Sequence, residues 1–151
     1  MANIPPAEIE ISHKYAGVII YANDNAIIAQ LRDDIPAIDN PGKVATFGGV
    51  LENGENFITT ALRELAEETN LKKKSDDLEL IHKDISWRSK TSEWSTRRFY
   101  SLKISTDELD NLQVFEGQGW VKITDANDPR LVESWRQVFE KALKLVESAR
   151  T

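Results

Sequence analysis

The sequence contains no cysteine. Disulfide frameworks, zinc–thiolate centres and thiol nucleophiles are therefore excluded, and a reducing, cytoplasmic setting is expected. Glycine and proline are scarce, at 7 and 5 of 151 residues, and no low-complexity tract or internal repeat is present. No stretch approaches the ~20 apolar residues that a membrane span requires. Residues Met1 to Ile11 have neither the basic start nor the apolar run of a secretory leader. A soluble chain is expected, with no membrane partner.

Basic charge is also in deficit. Lys and Arg number 19 against 25 Asp and Glu, for a formal net charge of −6. That balance argues against a protein that grips nucleic acid through the phosphate backbone. A small anionic ligand stays open, because a metal and local charge can override the net balance. What is present is ordinary for a soluble globular protein, 40% apolar and 29% charged. The length fits one compact domain spanning residues 1–151, large enough to fold without staples.

Tyr15 to Tyr21 is an apolar, β-branched run that ends at the turn-forming Asn23-Asp24-Asn25. Ala26 to Leu31 resumes as a second strand, so the pair reads as a hairpin. Asp33 to Gly42 is a loop, and Lys43 to Phe47 a short strand before Gly48-Gly49. From Asn56 to Thr69 the period becomes helical, with Ile58, Ala61, Leu62 and Leu65 on one stripe. Asn70 is expected to end that helix in the left-handed conformation, with Lys72 to Lys74 suited to its C-terminus.

Leu78 to Ser86 and Arg97 to Ile104 read as strands joined by a polar connection from Trp87 to Thr96. Trp120 to Ile123 is another strand. Pro129 to Ser148 is the longest helix, with Leu131, Trp135, Val138, Phe139, Leu143 and Val146 on its apolar side; Trp135 reads as core. Strands before and after the first helix make the fold class α+β, a mixed sheet with helices on its faces.

The chemistry concentrates between Gly48 and Leu71. Glu64, Glu67 and Glu68 lie at i, i+3 and i+4 and emerge on one face of the helix. Such crowded like charges call for a cation, and hard oxygen donors without Cys or His suit magnesium or manganese. Glu55 lies at the helix start, where Arg63 can hold a carboxylate in a fixed bidentate orientation. Gly48, Gly49 and Gly54 permit an irregular loop close to bound phosphates. A solvated acidic face would need no such order of glycine loop, acid and carboxylate-loaded amphipathic helix.

The segment resembles the Nudix box, G-x5-E-x7-R-E-U-x-E-E-x-G-U, where U is a bulky aliphatic residue. Gly49, Glu55, Arg63, Glu64, Leu65, Glu67, Glu68 and Leu71 match it in identity and spacing. Asn70 is the one departure, standing where the family usually has glycine. The resemblance implies an α/β/α sandwich and an Mg2+- or Mn2+-dependent hydrolysis of a phosphoanhydride in a nucleoside diphosphate linked to another moiety. Glu67 and Glu68 are the implied metal ligands, Glu64 a further ligand or the base, and Arg63 the orienting residue. Gly49 would contribute its carbonyl.

The family often places another acid on a loop near the last strands. Glu116 stands there between Gly117 and Phe115, as an extra ligand, as the base, or as an ordinary loop acid. Substrate contacts are expected from Trp87, Arg88 and Arg97, with Trp94 nearby, although tryptophans more often pack than bind. Arg97 and Arg98 alternate along a strand, so at most one faces the site. His82 reads as structural. Downstream markers of ADP-ribose, dinucleoside polyphosphate and NADH hydrolases are not evident. A MutT-like enzyme acting on nucleoside triphosphates is favoured, with a hydrolase of nucleotide sugars or dinucleotides, or a non-catalytic nucleotide sensor, as alternatives. A homodimer fits the family and the edges of a small sheet.

Overall fold

The computed structural model describes residues 4–22, 26–38 and 40–149. The expected turn at 23–25 lies outside them. The chain runs β1 (His13–Tyr21), β2 (Ile27–Leu31), β3 (Val44–Ala45), β4 (Phe47–Val50), α1 (Phe57–Glu68), β5 (Glu79–Arg88), β6 (Glu93–Lys103), α2 (Thr106–Asp110), β7 (Trp120–Ile123) and α3 (Glu133–Ala149).

β1 is the spine of the sheet. It pairs in parallel with β6 from His13 opposite Ser95 to Tyr21 opposite Lys103. Its other edge takes β4 along Tyr15–Val18 and then β2 at Ile20 and Tyr21, both antiparallel. β2 continues the sheet to β3 and β7, and β5 closes the other side against β6. A strand covered on both faces needs apolar residues at every position, which is why Tyr15 to Tyr21 does not alternate.

Ala16, Val18 and Ile20 pack with Phe47, Ala61 and Leu65 on the α1 side. Ile19 packs with Phe99, Val138, Phe139 and Val146 on the α3 side. The architecture is therefore the expected mixed sheet between helical layers, α+β. Each fully buried Phe or Ile adds roughly 1.5–3 kcal/mol of hydrophobic stabilisation. No helix of the described residues is long and apolar enough to cross a membrane.

Four expectations need correction. Gly48 and Gly49 belong to β4, opposite Gly17 and Ala16 of β1, and form no loop. At Gly48 (φ +153°) a Cβ would strike the Ala16 carbonyl oxygen, so glycine is there for close approach. The Trp87–Thr96 connection is mostly strand, because β5 runs to Arg88 and β6 begins at Glu93. Trp87 and Trp94 face each other across the hairpin, ring centroids 5.2 Å apart and edge-on, and aromatic cross-strand pairs of this kind stabilise a ladder.

The last helix starts at Glu133 and not at Pro129. Residues 125–131 form successive turns, with Asp128 N–H donating to Asp125 O and Leu131 N–H to Asp128 O. Leu131 is still buried, bridged to Val44 of β3. α1, finally, ends before Asn70. Thr69 caps it in extended conformation, and the only described non-glycine residues at positive φ are Asn40 and Ser92. Asn70 is not left-handed, and Lys73 serves an ion pair with Glu108 instead of a helix terminus.

α2 went unanticipated, although Ser105-x-x-Glu108 spells a capping box. Ser105 Oγ accepts from Glu108 N–H and the Glu108 carboxylate from Ser105 N–H, each at 3.1 Å.

Candidate active site

α1 begins where Asn56 Oδ1 accepts from Thr59 N–H at 2.9 Å. One turn further in, Arg63 gathers the acids around it. Its Nε donates to Glu55 Oε2 at 2.8 Å and an Nη to Glu55 Oε1 at 3.0 Å, a two-pronged fork. The other Nη reaches Glu64 at 2.9 Å and Glu67 at 3.3 Å. Glu55 also accepts from Glu52 N–H and Thr60 Oγ–H at 2.9 and 2.8 Å. Hydrogen bonding by Arg63, then by Glu52 N–H, holds the Glu55 carboxyl down at about 2. The expected Arg63–Glu55 pairing is thus present, and Arg63 braces Glu64 and Glu67 as well.

Glu64 and Glu68 meet. Glu64 sets its carboxylate close against Gly49, where a Cβ would push that carboxylate aside. Glu68 accepts from Gly48 N–H at 2.9 Å and is only 2% exposed. Burial pushes the Glu68 carboxyl up to about 9, against the lowering effect of Gly48 N–H, and the charges of Glu64 and Glu116 add to the rise. Burial raises Glu64 too, opposed by Arg63. A buried carboxyl in contact with a partly buried one needs either a shared proton or a cation between them.

Glu67 departs from the expected trio, since its side chain is 53% exposed and turned toward Arg63. Glu116 is exposed and lies on the loop before β7. Among the described residues, no three His, Cys, Asp or Glu side chains are already gathered around one point suited to a metal ion. The donor chemistry nevertheless fits a hard divalent cation: oxygens only, the buried Glu68 against the partly buried Glu64, and the charge of Glu116 acting on Glu68. Glu64, Glu68 and Glu116 would hold it, with Glu67 joining by a rotamer change.

A cleft of about 730 Å³ lies beside Glu68, with Gly48, Glu68 and Glu116 among its lining residues. That volume suits a small-molecule ligand. Trp87 and Arg88 line it as expected, together with Arg32 and Lys90, so cations border the anionic end.

Arg97 also lines it, yet its guanidinium is committed. It donates to both Asp84 oxygens at 2.7 Å and to Ser134 O at 2.8 Å, beneath Trp135 and Phe99. Its guanidinium is thus held within the cleft wall. Arg98 points to the opposite face, over the Phe57 ring and toward Glu8, as strand alternation requires. His82 is buried against Asp84 at 3.0 Å, a structural place.

Trp135 is not simply core, because it forms part of the cleft wall, edge-on to Tyr15 at 5.5 Å. Tyr15, Gln30, Arg32 and Thr46 were missed in the sequence. They sit on or beside strands whose apolar runs carry no mark of a cleft, and only the register of β1 to β4 brings them there.

A family model described as the NUDIX domain matches residues 12–142. No curated protein matches the chain by sequence. Solved structures are similar in fold. An Ap4A hydrolase of C. elegans aligns at TM-score 0.68 and 18% identity, covering 90% of this chain and 98% of that one. The MutT protein of Methanosarcina mazei Go1 aligns at 0.71 and 14%, covering 89% and 94%. The Nudix domain of Shewanella oneidensis NrtR, complexed with ADP ribose, aligns at 0.67 and 18%, covering 95% and 94%.

Proposed function

The chain belongs to the Nudix family of hydrolases, and from that premise we propose that it is a magnesium- or manganese-dependent pyrophosphohydrolase of nucleoside triphosphates. The observation that carries this reading is the buried Glu68, in contact with the partly buried Glu64 and lining a cleft that Arg32, Arg88 and Lys90 also line. A triphosphate chain laid along the cleft would have its reacting end at the carboxylates and its remaining charge among the guanidinium and ammonium groups. Trp87 and Trp135 offer apolar surface for the nucleoside.

Glu64, Glu67, Glu68 and Glu116, with the Gly49 carbonyl, would hold the cation. When bound it supplies charge neutralisation at the phosphate oxygens and activation of water. The chain's own residues do the positioning. Arg63 fixes Glu64 and Glu55, while Gly48 N–H fixes one Glu68 oxygen. Glu116, on the loop before β7, is one candidate acid to take a proton from an attacking water, with Glu64 as the other candidate base.

Glu67→Gln tests the assignment. The residue is exposed, so the fold survives the change and activity can be read directly. Incubation with a nucleotide panel, with products identified, should show magnesium-dependent pyrophosphate and nucleoside monophosphate from triphosphates, strongly reduced in the variant. Unchanged release in the variant would remove Glu67 from the metal set. Products from nucleotide sugars or dinucleotides alone would replace the substrate class.

A further inference from the structure

Asn70 stands where the family motif has glycine, and the structure shows what its side chain does. Thr69 already closes α1, with its N–H and its Oγ–H both donating to Leu65 O, at 2.9 and 2.8 Å. Asn70 makes no such local bond. Its Nδ2 donates to Asn111 O at 2.8 Å and its Oδ1 accepts from Gln113 N–H at 2.9 Å, across 41 and 43 residues of chain. Its backbone N–H donates to Gln113 O at 3.2 Å. Asn70 and Gln113 thus pair through two bonds, as strand residues do, except that an amide side chain replaces one carbonyl. A glycine keeps only the backbone bond.

These bonds fasten the start of the loop that carries Glu116. The next tie is Phe115 N–H to Glu68 O at 2.8 Å, beside an isolated bridge between Thr69 and Val114. Beyond Glu116 the loop is held to β2, by Gln118 N–H to Leu31 O at 2.8 Å and Gln118 Nε2 to Arg32 O at 2.9 Å. Gly117 (φ +72°) makes the bend, its Cα so near the Leu31 carbonyl that a Cβ would clash. Glu116 therefore sits between two anchored ends, one on the carboxylate helix and one on the cleft wall.

We infer that Asn70 is a positioning residue that couples the end of α1 to the Glu116 loop and so sets where Glu116 stands relative to Glu68. The inference rests on Glu116 working in the proposed site. It assigns to this chain a tether that the motif's usual glycine cannot provide.

The test is a double-variant cycle of Asn70→Gly and Glu116→Gln, with hydrogen exchange as a readout independent of activity. Two ordinary hydrogen bonds removed should open the loop about tenfold more often. The Phe115 amide should then exchange about tenfold faster in Asn70→Gly, while β1 amides keep their protection. Magnesium-dependent product release should fall roughly three- to tenfold in Asn70→Gly, and Asn70→Asp, which keeps the Gln113 bond, should fall less.

In the Glu116→Gln background the Asn70→Gly change should have no further effect, because the group it positions is gone. An equal loss in both backgrounds, or an unaltered Phe115 exchange rate, overturns the inference. If Glu116→Gln is impaired while Asn70→Gly matches wild type, only the role of Asn70 fails. If Glu116→Gln itself matches wild type, the assignment of Glu116 fails and the tether's purpose with it.

Discussion

Two arginines in this molecule are held by carboxylates in the same fork, and they do different work. Arg63 on α1 grips Glu55 at 2.8 and 3.0 Å and stays partly exposed, with spare donors for Glu64 and Glu67. Arg97 on β6 grips Asp84 at 2.7 Å twice, is 8% exposed in its side chain, and gives its remaining reach to Ser134 O at the start of α3. The first fork orients acids of α1, among them Glu64, which lies against the cleft-lining Glu68. The second locks a strand pair to a helix and holds up the aromatic wall of Trp135 and Phe99. A fork alone does not say whether an arginine serves the reaction or the frame; what its other nitrogens touch decides it.

Substitution separates the two. Asp84→Ala leaves the Arg97 guanidinium buried without its partner, which should cost about 3 kcal/mol, at the low end for a broken buried pair because Asp84 is partly exposed. Urea midpoints measure this, and metal affinity should stay near wild type. Arg63→Lys keeps the charge and loses the fork, so activity should fall about 10- to 100-fold, as when a ligand's supporting partner is removed. Its stability should drop by only about 1 kcal/mol, because the pair is near the surface. Steady-state rates and the same urea series would show the crossed pattern, and equal effects on both properties in both variants would erase the distinction.

The smallest effect concerns acid. Glu55, held down to about 2 chiefly by Arg63, has a folded value below its ordinary 4.5. Its contribution to stability is therefore full above pH 4.5 and lost as pH falls toward 2. The stability gap between wild type and Glu55→Gln should narrow through that window. A gap independent of pH would mean that the fork does not favour the charged carboxylate.

The same comparison explains what could be read before the fold was seen. The Arg63 fork lies within one loop and helix, where spacing along the chain fixes who meets whom, so Glu55, Arg63, Glu64 and Glu68 were legible. The Arg97 fork exists only because β5 and β6 pair with Asp84 opposite Arg97, a register no local pattern announces.

Trp87 was expected to contact substrate but was read as part of a connection, since its strand alternates too weakly to betray itself. Asn70 was taken for a left-handed stop because the residue type allows it, whereas its partners at Asn111 and Gln113 decide its conformation. Tyr15 and Gln30 were hidden by apolar runs that signal only burial. The mixed sheet and its helical faces, by contrast, followed from periodicity alone.

The central claim is that Glu68, buried beside Glu64 in the wall of the cleft, holds a divalent cation. Thermal denaturation of wild type and Glu68→Gln, each with and without magnesium, tests it directly. The amide imitates the protonated acid that burial favours, so the metal-free variant should unfold at or above the wild-type temperature. Magnesium should raise the transition of wild type and leave that of the variant unmoved. A variant that retains the full magnesium shift would contradict the claim.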